Sequence, residues 1–148
     1  MRMKLVYPKW PKLPEQTEFH LPPHAPVVFA AALPADVEVT FVDENRVVLD
    51  TGDSPDVVAL SVMLTCQIPR AKAIAAEYRR RGVPVLAGGI AVMLHAEEMA
   101  EALRQAPVGA LRVLACHHPL IEMIGAPMTG EVKRGAAAAQ IFAEAGVD

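Results

Sequence analysis

A chain of 148 residues is long enough for one compact core and too short for two ordinary domains, so it reads as a single unit. Hydrophobic residues at 53% against 21% charged exclude a disordered chain and suit a sheet covered by helices on both faces. A net charge of -3 without a basic run excludes a nucleic-acid footprint, no apolar stretch approaches the roughly 18 residues of a membrane span, and the expected setting is the cytoplasm.

Met3 to Tyr7 is short, apolar and β-prone, and Pro8 ends it, which predicts a buried first strand. From Pro8 to Pro23 five prolines punctuate a loop longer than most connections in compact domains, as in a lid or binding loop. His24 to Leu33 predicts a short apolar helix with Pro26 in its first turn, stopped by Pro34. Val37 to Val42 alternates and is β-branched, giving a second strand that delivers Asp43 and Glu44 to its end, where solvation is the expected state of both. Between Glu44 and Pro55 no helical period emerges, so this crossover is expected to be irregular.

Asp56 to Met63 is a nearly continuous apolar run, as in a central parallel strand. Pro69 to Arg81 carries Ala, Ile and Tyr on one side and charges on the other, and closes at Gly82 as a helix would. Val83 to Ala87 is a fourth strand, followed by Gly88-Gly89. Leu94 to Gln105 is a helix with early acids and a late Arg104, complementing its dipole. Leu111 to Ala115 is a fifth strand leading into Cys116-His117-His118-Pro119, and Lys133 to Ala145 is an Ala-rich last helix.

Alternating strands and helices imply an α/β fold with right-handed crossovers. The length fits a flavodoxin-like (Rossmann-like) five-stranded parallel sheet of order 2-1-3-4-5, helices on both faces. Such sheets take ligands at the edge formed by the strands' C-terminal ends. His20 and His24 follow the first strand, Cys66 the third, His95 the fourth, and Cys116, His117 and His118 the fifth, so all are expected at that edge.

Two segments resemble known families. LVYPKWPK at Leu5–Lys12, LPP at Leu21–Pro23, AALPADVEV with FVDEN at Ala31–Asn45, PDVVALSVMLTCQ at Pro55–Gln67 and VPVLAGG at Val83–Gly89 resemble the cobalamin-binding domain of radical-SAM enzymes, over about residues 4–103. That resemblance implies cobalamin as cofactor and nominates Ser61, Thr65, Cys66, Gly88 and Gly89. No D-x-H-x-x-G motif is present, so it implies no histidine ligand to cobalt.

From about Ala106 to Asp148, VLACHHPL at Val113–Leu120, GAPMTG at Gly125–Gly130 and RGAAAAQIFAEAGVD at Arg134–Asp148 resemble the late part of calcineurin-like metallophosphoesterases. There the first His of the H-x-P step is a metal ligand, and it matches His117. Gly52-Asp53-Ser54-Pro55-Asp56 mimics a G-D-x-x-D motif but falls at the opposite sheet edge.

Histidine and thiolate suit zinc or manganese, and a catalytic site needs about three protein ligands and an open position. His117 ranks first; His20, His24, His95 and Cys116 are the further candidate ligands, with His118 and Lys9 as catalytic candidates. The lead expectation is a metal-dependent hydrolase acting on small-molecule phosphate esters. The alternatives are a cobalamin-binding module and a structural or interaction domain. The bland reading of Cys66 and Cys116 is as small buried thiols, since free Cys packs as a hydrophobe. An exposed final strand would favour a homodimer.

Overall fold

The computed structural model describes residues 1–12, 14–15, 23–105, 114–115 and 134–147. The chain forms two compact units, Met1–Ala87 and Gly88–Asp148.

In the first unit, β1 (Arg2–Tyr7), β2 (Glu38–Asp43), β3 (Val57–Ser61) and β4 (Val85–Gly88) form a parallel sheet of order β2-β1-β3-β4, with β4 running to the first residue of the second unit. Arg2–Tyr7 pair in register with Glu38–Asp43, and Met3–Val6 pair with Val57–Leu60. β1 and β3 are almost continuously buried because helices cover both faces.

Side chains alternate across the sheet. On one face Met3, Leu5, Val57 and Ala59 pack against Phe29, Ala30 and Leu33, which belong to α1 (His24–Ala31) and the turn after it. Val6, Val58 and Leu60 lie on the other face. They share it with α2 (Ile68–Arg80), whose Ala71, Ile74 and Tyr78 recur at helical spacing and are buried. Complete burial of a Val or Ile stabilises by roughly 1.5–3 kcal/mol, so these central positions dominate the unit.

The expected stop at Gly82 is a full Schellman motif. Gly82 has φ 78°, its N–H donates to Arg79 O at 2.9 Å, and the Val83 N–H donates to Tyr78 O at 3.1 Å.

Residues 44–56 cross from β2 to β3 without a helix, as the missing periodicity predicts. A polar network takes the helix's place. Lys4 is buried in β1, and its Nζ donates to Asp50 O at 2.5 Å, to Asp53 Oδ2 at 2.7 Å and to Tyr78 Oη at 3.2 Å. The Tyr78 hydroxyl donates to Asp53 Oδ1 at 2.8 Å. Arg81 lies over the Tyr78 ring, 4.8 Å from its centroid, and donates to Asp53 O. Burial, then the Asp53 hydrogen bond and charge, push the Tyr78 hydroxyl up against the opposing Arg81 charge. Every N–H of the Lys4 ammonium is used, which is how a charge survives inside an apolar strand.

The second unit holds α3 (Ile90–Leu94), α4 (Ala96–Arg104), β5 (Leu114–Ala115) and α5 (Gly135–Glu144). α4 and α5 pack together, with Ala96, Ala100, Ala138 and Phe142 buried. α5 also closes on a Schellman motif, with Gly146 at φ 75°.

His24 opens α1 as its first helical residue, where the helix was expected to begin. Two expectations are corrected in detail. His95 does not follow β4 directly: α3 intervenes, and His95 sits at the α3–α4 junction. Gly88 closes β4 rather than following it. Of the expected fifth strand, Leu114 and Ala115 form a two-residue strand, while 111–113 lie outside the described residues.

Candidate functional site at the C-terminal edge of β1 and β3

The chain leaves β1 toward α1 on one face and leaves β3 toward α2 on the other. The two exits diverge at the C-terminal edge, the arrangement that creates a binding crevice in open α/β sheets. Two side-chain clasps hold the edge together.

The first is Glu44, just past β2. Its side chain is only 3% exposed, and both carboxylate oxygens accept from the Arg70 guanidinium at 2.6–3.1 Å. Oε2 also accepts the Lys9 N–H at 3.1 Å. One carboxylate thus ties the exit of β1, the exit of β2 and the first turn of α2. The Glu44 hydrogen bonds push the Arg70 guanidinium up, outweighing burial, and the Glu44 charge adds to the rise. Solvation, the expected state of Glu44, is wrong for this residue. Asp43 instead accepts from Asn45 N and Asn45 Nδ2, both at 2.9 Å, in a local turn.

The second clasp is Gln67, which is fully buried. It ends a 3-10 turn, Thr65–Gln67, that leads directly into α2. Its Oε1 accepts the N–H groups of Met63 and Leu64, each at 2.9 Å, and its Nε2 donates to Pro8 O at 2.5 Å. The bond to Leu64 is the reach-back half of a capping box, satisfying a backbone donor that the turn leaves open.

Tyr7, the last residue of β1, lies beside it. Burial pushes the Tyr7 hydroxyl up, a hydrogen bond from Gln67 opposes this, and the Asp43 and Cys66 charges add to the rise. The Tyr7 ring meets Trp10 edge-on, with centroids 5.9 Å apart.

Around these clasps the nominated residues fall as follows. Ser61 is buried at the end of β3, whereas Thr65 and Cys66 are exposed on the turn. Cys66 is therefore not the buried thiol that its residue type suggests. Lys9 is exposed and holds its place through its backbone. His24 is exposed in the first unit.

In the second unit Gly89 has φ 110°, a backbone that favours glycine, and His95 Nδ1 lies 3.9 Å from Glu98. His20, Cys116, His117 and His118 lie outside the described residues. No group of three or more His, Cys, Asp or Glu side chains is placed to hold a metal ion among the described residues. None of the described helices is long and apolar enough to cross a membrane.

No protein family, curated protein or solved structure matches the chain.

Leu64, Thr65 and Cys66 are exposed along this rim, and Trp10 is half-buried. A cavity of ≈ 100 Å³ lies at the opposite end of the strands, lined by Arg2, Lys4, Glu38, Thr40 and Asp53 among others. The Lys4 donors there are already spent on Asp50, Asp53 and Tyr78, so that cavity offers no free ammonium to a ligand.

Sequence reasoning missed Arg70, Gln67 and Tyr7 and read Glu44 as solvated. Two signals were present. An Arg in a helix's first turn opposes the macrodipole, which points to an acidic partner. A Gln three residues after a turn's start is the reach-back position of a capping box.

Proposed function

We propose that the chain is a cobalamin-class ligand-binding module. In this reading the sheet extends to the five-stranded flavodoxin-like order 2-1-3-4-5, with Leu111–Ala115 as its fifth strand. The ligand rests on the rim after β1 and β3. The carrying observation is the exposed Thr65-Cys66 pair, on a turn that Gln67 ties to Pro8 at the β1 exit and that leads into the first turn of α2, which Glu44 holds through Arg70. Such clasping lowers the ordering cost of binding. A corrinoid would bring cobalt chemistry, while the protein's residues would bind its face and limit water around it.

The test is equilibrium dialysis of the full chain against hydroxocobalamin, followed in the visible spectrum. Retention with a spectral change is expected, with about tenfold weaker binding in Thr65→Ala/Cys66→Ser. No retention by the folded protein would refute the reading.

A second reading, a metal-dependent hydrolase of phosphate esters, is favoured by one observation. The short strand Leu114–Ala115 ends immediately before Cys116-His117-His118-Pro119, the step where the metallophosphoesterase resemblance puts a metal ligand. A zinc or manganese ion at His117 would supply a water of lowered pKa and polarise the phosphoryl group. His118 is the adjacent imidazole that moves a proton. Metal analysis of untreated protein, with an activated phosphate ester assayed before and after chelation, tests this. Turnover that is unaffected by chelation, or by His117→Ala in folded protein, would sink it.

A further inference from the structure

The crevice between the C-terminal ends of β1 and β3 is where an open α/β sheet admits part of a ligand between its diverging loops. Here a side chain occupies it. Gln67 is 0% exposed, and its carboxamide reaches both walls: Pro8 O on the β1 side, and the N–H groups of Met63 and Leu64 on the β3 side. Pro8 is itself buried. Tyr7, the last residue of β1, is buried on the same side.

A carboxamide has two donors and two acceptor positions. Both acceptor positions and one donor are in use. A ligand group entering between the strands would have to evict Gln67. That would leave two backbone N–H groups and a carbonyl to be re-satisfied, and each failure costs about tenfold or more in affinity. The Glu44–Arg70–Lys9 clasp beside it resists the alternative of spreading the loops, because spreading exposes an ion pair whose carboxylate is buried.

We infer that Gln67 is a latch that keeps the β1/β3 crevice shut, so that this edge accepts a ligand lying flat on the rim and rejects one that must thread a tail between the strands. Within the cobalamin-class reading, on which its ligand consequence rests, Gln67 is a specificity-determining residue. It selects for the macrocycle face and is indifferent to the nucleotide tail. It is a positioning residue and touches no reacting atom.

The full chain is titrated with cyanocobalamin, which carries the nucleotide tail, and with dicyanocobinamide, which lacks it. The two are expected to bind within about threefold of each other. Cobalamin binding at least tenfold tighter would overturn the inference while leaving the cobalamin-class reading intact. Gln67→Ala is expected to gain about tenfold in preference for the tailed ligand; a folded variant with unchanged preference would count against the latch.

Amide hydrogen exchange on the ligand-free wild type tests the latch without a variant or a corrinoid. Protection of the Met63 and Leu64 amides by about a hundredfold or more is expected. Should neither corrinoid bind, the proposed function fails, and exchange alone decides the latch: unprotected Met63 and Leu64 amides would overturn it.

Discussion

Replacing Lys4 with methionine removes an ammonium while keeping a side chain of similar length in the same strand. In the wild type that ammonium makes three hydrogen bonds, to Asp50 O, Asp53 Oδ2 and Tyr78 Oη, from a side chain 6% exposed. Hydrogen bonds involving a charged group contribute about 1.5–3 kcal/mol, and stranding a buried partner costs up to 3–5 kcal/mol. The Asp53 side chain is 40% exposed, so water takes over part of its solvation and the loss is smaller. The expected loss is about 2–3 kcal/mol, or about 4–12 °C in Tm for a chain of this size. Urea unfolding followed by Trp10 fluorescence reads the first unit directly, since Trp10 is the chain's one tryptophan.

A cycle with Asp53→Asn isolates the pair and should return a coupling of about 1–2 kcal/mol. The pH profile is a second readout. Burial alone would raise the Asp53 carboxyl, but hydrogen bonds from Lys4 and Tyr78 and the charges of Lys4 and Arg81 bring it below the ordinary value. A carboxyl depressed in the folded state contributes its stability above the unfolded pKa and loses it as pH falls through the folded one. The wild type should therefore weaken as pH drops below about 4, with a shallower slope in Asp53→Asn. A Lys4→Met midpoint within about 0.5 kcal/mol of wild type, or an additive cycle, would refute the idea that this network replaces the missing crossover helix.

Other positions give sharper, smaller tests. Glu44→Gln keeps the shape but removes the charge paired with Arg70, and should cost about 1.5–3 kcal/mol in the same urea assay; a neutral result would mean the buried pair adds nothing. Gly82→Ala should cost about 1–2 kcal/mol from backbone strain alone, because φ is +78° and an added Cβ meets nothing within 4 Å. Cys66 should react with a thiol reagent in the native protein, and Cys66→Ser should lower the fast-reacting count by one.

The elements that local pattern determines were legible in the sequence. β1 and β3 read as apolar runs, α2 as a 3.6-residue stripe closed by Gly82, and the 44–56 crossover as a stretch with no period. α3 was not legible, because Ile90 to Leu94 is apolar throughout and a five-residue helix without a polar face has no period to detect.

The clasps were harder, since each depends on residues far apart in the chain. Glu44 meets Arg70 across 26 residues, and Gln67 meets Pro8 across 59. Lys4 looks misplaced in MKLVY until the crossover brings Asp50 and Asp53 over it. Cys66 packs in the open because the 3-10 turn spends its buried position on Gln67 instead.

The helix-free crossover also offers a place at which this unit could be cut. Val48 is 96% exposed and lies between the two anchoring points, Glu44 before it and Asp50 after it. Cutting the chain between Val47 and Val48 would leave one fragment carrying Lys4 and Glu44 and another carrying Asp53 and Arg70. The complementary charges lie at opposite ends of the strands and with opposite polarity, so a fragment docked upside down would bring Lys4 toward Arg70 and Glu44 toward Asp53. Reassembly of the halves would thus be keyed by charge to a single orientation, the same two pairs that hold the intact protein serving as the recognition code of a split one.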